Sequence, residues 1–392
     1  MQKMRNVILF DPAEVRENLL PLTYTRPVAL IRHGIKTIAE KWSHAIEGEY
    51  SFETQDYLSE KYPVRLTGDN LFIAGNIEPD EALTAAILAL NPGESLTKNG
   101  AVIAARGVRD ECHPTEYTAD LLAISQVYDI FMTNGEALER DYRVLTAGRE
   151  SQPLSDTCRL IGSPVLADGT PAIFIEKGAT VECANINVKN GPVYVGRDAE
   201  IMEGACLRGP VALCEHAVVN MGGKIYGATT LGPYCKVGGE LNNVVMTGYS
   251  NKAHDGFLGN AVIGEWCNLG AGCTASNLKN TYAPIRLWNM AKSSFVKTGL
   301  QFCGLIMGDH SKAGINTMFN TATVVGVGVN FYGAGFPRTF IPSFMEGSTA
   351  GMKPVDLDRF YDTASRMMAR RHIELTPVDK EILYKIKLTA GE

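Results

Sequence analysis

The chain contains no long apolar run. No stretch approaches the ~20 residues that a membrane helix requires. The first apolar run, Val7-Ile8-Leu9-Phe10, ends at Asp11-Pro12. It is too short for the core of a secretory leader, so the sequence reads as cytoplasmic with no membrane partner. Cysteine is present but unpatterned: there are nine, an odd number, with no C-x-x-C pair. That excludes a disulfide framework and a zinc ribbon and leaves reduced thiols. A basic surplus is missing too. The net charge is −6, which gives no electrostatic case for a nucleic-acid partner. Aromatics make up 8% and prolines number 18, against 39 glycines without triplet period, so a collagen-like fibre is excluded. With 45% hydrophobic residues over 392 positions, the chain is globular, with length for two or three domains of roughly 100–200 residues each.

What is present divides into two patterns. The first ~160 residues read as mixed α/β. Val7-Ile8-Leu9-Phe10 is a short buried strand, and Pro27 opens a helix that puts Val28, Ile31, Ile35, Ile38 and Trp42 on one face. Pro79 opens another with Leu83, Ala86, Ile87 and Leu90 inward, and Asn99 to Ala105 is a turn and strand. The middle of the chain has a different period. Val195, Ile201, Leu207, Leu213, Val219, Ile225, Leu231 and Val237 recur every six residues, each followed four places on by a mostly small residue. After a two-residue insertion the series resumes at Val245, Asn251, Phe257, Ile263, Leu269 and Ala275, and returns at Met307, Ala313, Phe319, Val325 and Phe331. Period six matches neither a helix nor a simple strand; it is the hexapeptide signature of a parallel β-helix, one flat side per repeat. Leu278 to Leu305 break the period and read as a long excursion. Beyond Pro354 two helices follow, the second capped at Thr376-Pro377. The expected organisation is an α/β domain over residues 1–160, a left-handed β-helix over 161–352 and a helical segment over 353–392.

His254 stands out among the seven histidines. It is the fourth residue of a hexapeptide in a polar, glycine-rich run, which places it near a corner and pointing outward. An outward imidazole beside a cleft is suited to general-base work near neutral pH. Around it lie Glu240, Leu258-Gly259-Asn260-Ala261-Val262-Ile263-Gly264, Asn268-Leu269-Gly270-Ala271-Gly272 and Asn277. In order and spacing this segment resembles the acetyltransferase domain of the bifunctional N-acetylglucosamine-1-phosphate uridyltransferase / glucosamine-1-phosphate acetyltransferase family. Asn18 to Val28, Ser250 to Gly259, Glu265 to Gly272, Ser276 to Asn280 and Gly308 to Lys312 resemble a divergent branch of it, over nearly the full length.

The resemblance implies a homotrimer with active sites between subunits. It implies His254 as base, with Glu240 and Asn277 holding substrate and base, and Asn268 on the sugar phosphate. Acetyl-CoA is the implied cosubstrate, with Gly259, Ala271 and Lys312 along its path. Where the family carries Lys and Tyr, this chain has Asn242 and Phe257. The phosphate is then left to other residues, such as Lys252 or Lys279, or the acceptor differs. Glu240 and His254 lie two hexapeptides apart, so their convergence needs a corner or a neighbouring chain. His310 and the cluster Arg366, Arg370, Arg371 and His372 are further candidates for phosphate contact, beside the reading of a solvated helix face.

In the first domain the family's glycine-rich triphosphate loop has no counterpart, since residues 7–27 hold no glycine. Arg16 and Arg26 are the nearest stand-ins for nucleotide contacts, and Asp69 in Gly68-Asp69 resembles the family's Mg2+ ligand. The implied ligands are thus a sugar phosphate, a nucleoside triphosphate and acetyl-CoA. Two alternatives stay open: an acyltransferase with a degenerate nucleotide-binding domain, and a non-catalytic trimeric scaffold.

Overall fold

The structure is a computed structural model, and it describes Arg5–Ala390. The chain forms two units. The first takes in the chain up to Ile31 and Lys36–Gln126; the second takes Arg32–Ile35 and everything from Val127 on.

The first unit is built on a mixed sheet of β1 (Arg5–Phe10), β2 (Gly48–Glu53), β3 (Asn70–Ala74), β4 (Glu94–Lys98), β5 (Ala101–Arg106) and β6 (His113–Glu116). The order is β2-β1-β3-β5-β4-β6. β1 is parallel to both neighbours, and Val7, Ile8 and Leu9 are fully buried, as a central strand covered on both faces requires. Asn99 and Gly100, both at positive φ, make the turn between β4 and β5. The expected helix from Pro27 does not form. Val28–Leu30 is a single 3-10 turn, and the helix starts only at Ile38–Ala45. Its start is set by a capping box between Thr37 and Glu40, a stronger local signal than the proline.

The second unit is a left-handed parallel β-helix followed by helices Leu357–Ala369 and Pro377–Ala390. The residues expected inward from Val195 to Val237 line its interior. Leu213, Leu231, Met246, Ile263, Met307, Val325 and Ile341 stack coil on coil through the parallel registers. Leu231 is fully buried in that stack. Leu231→Ala is expected to cost about 2–5 kcal/mol in urea or thermal unfolding, because a rigid coil cannot collapse on the cavity.

After Val237 the register departs from the expected one. Val237 pairs with Lys252, fifteen residues on, where Val219 pairs with Val237 eighteen residues on. The inward residues of the shortened coil are therefore Leu241, Met246, Lys252 and Leu258, not Val245, Asn251 and Phe257. From Ile263 the expected series holds again.

The outer faces of the β-helix are not alike. One is covered along its length. Its outward row includes Phe174, Tyr194, Ala212, Thr230, Val245 and Val262, all buried. Helix Asn134–Thr146 packs Leu138 and Tyr142 on one end, and Trp288 of the excursion stacks on Phe340 at the other, ring centroids 4.6 Å apart. The excursion is an antiparallel hairpin, Arg286–Asn289 with Ser294–Lys297. A corner row is also closed. His216, Tyr234, Tyr249, Trp266 and His310, each at φ between 54 and 60°, stack their rings in sequence. Phe360 of the first terminal helix meets His310 edge-on, and the Arg371 guanidinium lies over Tyr234.

Candidate active site

The open part of the solenoid is the corner that carries His254 and the two faces that meet there. The corner stacks directly on the coil below. Gly239 has no room for a side chain, since a Cβ there would lie 2.9 Å from the His254 carbonyl oxygen. Gly256, at φ +120°, would place one 2.0 Å from the Cys273 carbonyl oxygen. Only glycine satisfies both the close approach and the positive φ. The His254 side chain is exposed at this corner.

On one side of the corner, Lys224, Glu240 and Phe257 are register partners on successive coils, with Tyr226, Asn242 and Gly259 two residues further along the same strands. The Tyr226 hydroxyl donates to Glu240 Oε1 at 2.6 Å, and that bond together with burial pushes the Tyr226 phenol up to about 12. Asn277 Nδ2 donates to Asn260 Oδ1 at 2.8 Å and sits against Gly259, where a Cβ would come within 2.7 Å of it. This face ends in an open cleft of about 580 Å³ whose polar wall is Glu136, Asn242, Asn243 and Asn260. On the other side of the corner, Asn251, Asn268, Lys312 and Asn330 form the outward row. Ala271 lies on the corner itself, one coil above: the Gly272 amide donates to the Asp255 carbonyl and the Asn316 amide to the Ala271 carbonyl.

The structure gives the order of these residues around the corner: Glu240 accepts from Tyr226, and Asn277 donates to Asn260 at the far end of the same face. His254 stands between Glu240, one coil below on one face, and Asn268 on the other. Lys312 is placed one coil beyond Asn268, donating to the His310 carbonyl at 2.9 Å, and burial depresses its ammonium. It lines a small cavity of about 100 Å³ with Asn330, Glu346 and Arg359 under the terminal helix. Lys279 donates to the Pro284 carbonyl at 3.2 Å, within the excursion.

The expectation for Lys252 is corrected. It is fully buried in the interior stack, so its ammonium cannot reach a sugar phosphate on the outside. The cation that does stand beside Glu240 is Lys224, exposed and one coil below. Sequence reading passed over it; the only signal is its place one coil before Glu240.

In the first unit the candidate nucleotide and metal residues are engaged by protein partners. The Arg16 guanidinium is buried on Asp11, at 3.1 Å, on the Tyr57 hydroxyl, at 2.9 Å, and on the Arg26 carbonyl. Arg26 is buried as well. Both oxygens of Asp69 accept from Arg106, at 2.9 and 2.8 Å. The Asp69 carboxylate is thus already paired with a cationic side chain, while half of it stays exposed. Among the described residues no group of three or more His, Cys, Asp or Glu is placed to hold a metal. No helix among the described residues is long and apolar enough to cross a membrane.

Residues 7–150 match the family model described as sugar nucleotidyl transferase. No curated protein matches the chain. Among solved structures, the UDP-N-acetylglucosamine acyltransferase of Francisella novicida is 12% identical, with 60% of this chain and 75% of that one covered, at a TM-score of 0.30. The acetyltransferase domain of PglB from Neisseria gonorrhoeae, solved with acetyl coenzyme A, is 13% identical over 90% of this chain and 100% of that one, at 0.19. The N-acyltransferase AntD from Bacillus cereus is 12% identical over 50% and 82%, at 0.20.

Proposed function

We propose that the chain is an acetyl-CoA-dependent N-acetyltransferase of an amino sugar 1-phosphate, glucosamine 1-phosphate first among them. The observation that carries this reading is the corner: an exposed imidazole flanked on one side by a lysine–carboxylate–aromatic row and on the other by an asparagine row. His254 takes a proton from the sugar amine as its nitrogen attacks the thioester carbon. The carbon–sulfur bond then breaks, and the coenzyme A thiolate leaves with a proton from the imidazolium. Glu240 and Asn277 orient the acceptor, and Lys224 stands where its phosphate meets the row. Holding both reactants at one corner lowers the entropic cost of their encounter. The functional protein is a cytoplasmic homotrimer, in which a neighbouring subunit completes each site.

The first unit then activates the product with a nucleoside triphosphate to give a UDP-sugar, a step supported by the family match over residues 7–150. A second reading has its own support. The buried Arg16, the Asp69–Arg106 pair and the glycine-free loop favour an acyltransferase whose first unit only binds nucleotide. One experiment separates the two. Purified chain is given acetyl-CoA and glucosamine 1-phosphate while free thiol is followed, then UTP while pyrophosphate is followed. Thiol and pyrophosphate together support the coupled enzyme; thiol alone supports the second reading. Ligand binding without either product would leave the scaffold reading and sink the proposal.

A further inference from the structure

Lys252 occupies a place in the coil where every other consideration asks for an apolar side chain. It stacks between Val237 and Leu269 and has no exposed surface. An ammonium taken out of water is costly, and a methionine of similar volume would fill the same space without that cost. The burial depresses the ammonium, with Cys273 and Asp255 acting in the opposite direction. What the ammonium reaches explains its presence. Nζ donates to the main-chain oxygen of His254 at 2.5 Å and approaches that of Gly238 at 3.5 Å. A second side chain acts on the adjoining peptide: Asn220 Nδ2 donates to the Ala253 carbonyl at 2.8 Å. Two consecutive carbonyls at the His254 corner are thus each held by a side-chain donor. The groups facing Lys252 are these carbonyls, the Cys273 thiol and Asp255.

We propose that Lys252 is a positioning residue: from inside the coil, and with Asn220, it fixes the peptide that presents His254 to the outside. This rests on the reading of His254 as the base. A lysine that only filled the core would be replaceable by methionine with no loss of turnover and equal or greater stability. A lysine that holds the corner trades stability for placement.

The test compares Lys252→Met with the full-length wild-type chain, using acetyl-CoA and glucosamine 1-phosphate as substrates. The expected result is an unchanged or higher melting temperature, with kcat lower by about tenfold to a hundredfold, the scale on which a displaced group fails. KM for acetyl-CoA should stay within about twofold. Amide hydrogen exchange gives a readout that needs no turnover. The Glu240 and Gly272 amides donate to the Gly256 and Asp255 carbonyls, both at 3.1 Å, and should exchange about tenfold faster once the corner loosens. Wild-type exchange together with wild-type kcat in the variant would overturn the proposal. Should Lys252→Met fail to fold, Asn220→Ala decides, with the same direction expected for both readouts and overturn if neither moves. His254→Ala runs alongside: full acetyl transfer in that variant would remove the base reading, while the exchange data would still judge whether Lys252 holds the corner.

Discussion

His254→Ala should lower acetyl transfer by about 10²–10⁴-fold, the usual contribution of a positioned general base. The melting temperature should scarcely move. The imidazole is exposed, and substitutions at such positions ordinarily change stability by no more than about 0.5 kcal/mol. The corner survives the change because main-chain and neighbouring groups hold it, namely Lys252, Asn220 and the two glycines at 239 and 256. Free thiol released from acetyl-CoA in the presence of glucosamine 1-phosphate measures the loss. Pyrophosphate release from UTP, where the first unit supports it, should be unaffected. Undiminished thiol release at normal stability would show that the proton leaves by another route and would return the corner to a structural role.

The parts of this site that can be read in the sequence are those whose residue type is unusual for its position. A histidine in a glycine-rich polar run announces itself, and the six-residue period announces the coil because each inward side chain packs against its own repeat above and below. The period fails where coil length changes. Between Val237 and Lys252 the coil loses three residues, whereas the counted series restarts at Val245 after a two-residue insertion and so carries Asn251 inward in place of Lys252. For the same reason Lys252 looked like a surface cation and was offered to the phosphate. Lys224 shows the reverse error. It precedes Glu240 by sixteen residues, not eighteen, and a strict period does not align the two. The glycine excess is legible in outline only. Glycine after an inward residue is common to many coils, but the demand at Gly256 comes from a carbonyl on the next coil, which sequence cannot display.

Arg16 is the residue for which sequence and structure point to different chemistry, and Arg16→Met should decide between them. A strand ending in Asp-Pro followed by an arginine looks the same whether the guanidinium faces a triphosphate or a buried carboxylate. In the fold it faces the carboxylate: Asp11 accepts from Arg16 and from Thr54 on one oxygen and from the Val28 amide on the other. The Arg16 and Asp11 side chains are 6% and 3% exposed. Burial raises the Asp11 carboxyl above its ordinary range even with these partners in place. Removing the guanidinium leaves that carboxylate buried without its cation, a change that costs about 3–5 kcal/mol in comparable pairs. It also strips the Tyr57 hydroxyl of the guanidinium that donates to it. The loss should depend on pH in a defined direction. A carboxyl raised further in the folded state binds its proton there more tightly than in the unfolded chain. Stability of the variant should therefore fall as pH rises from the unfolded carboxylate value, near 3.9, through the raised folded one. Urea unfolding of wild type and variant at about pH 5 and pH 8 measures both the cost and its slope. A variant of normal stability that no longer binds UTP would reverse the assignment and make Arg16 a nucleotide ligand after all. A destabilised variant that binds UTP normally whenever folded would place triphosphate recognition elsewhere in the first unit.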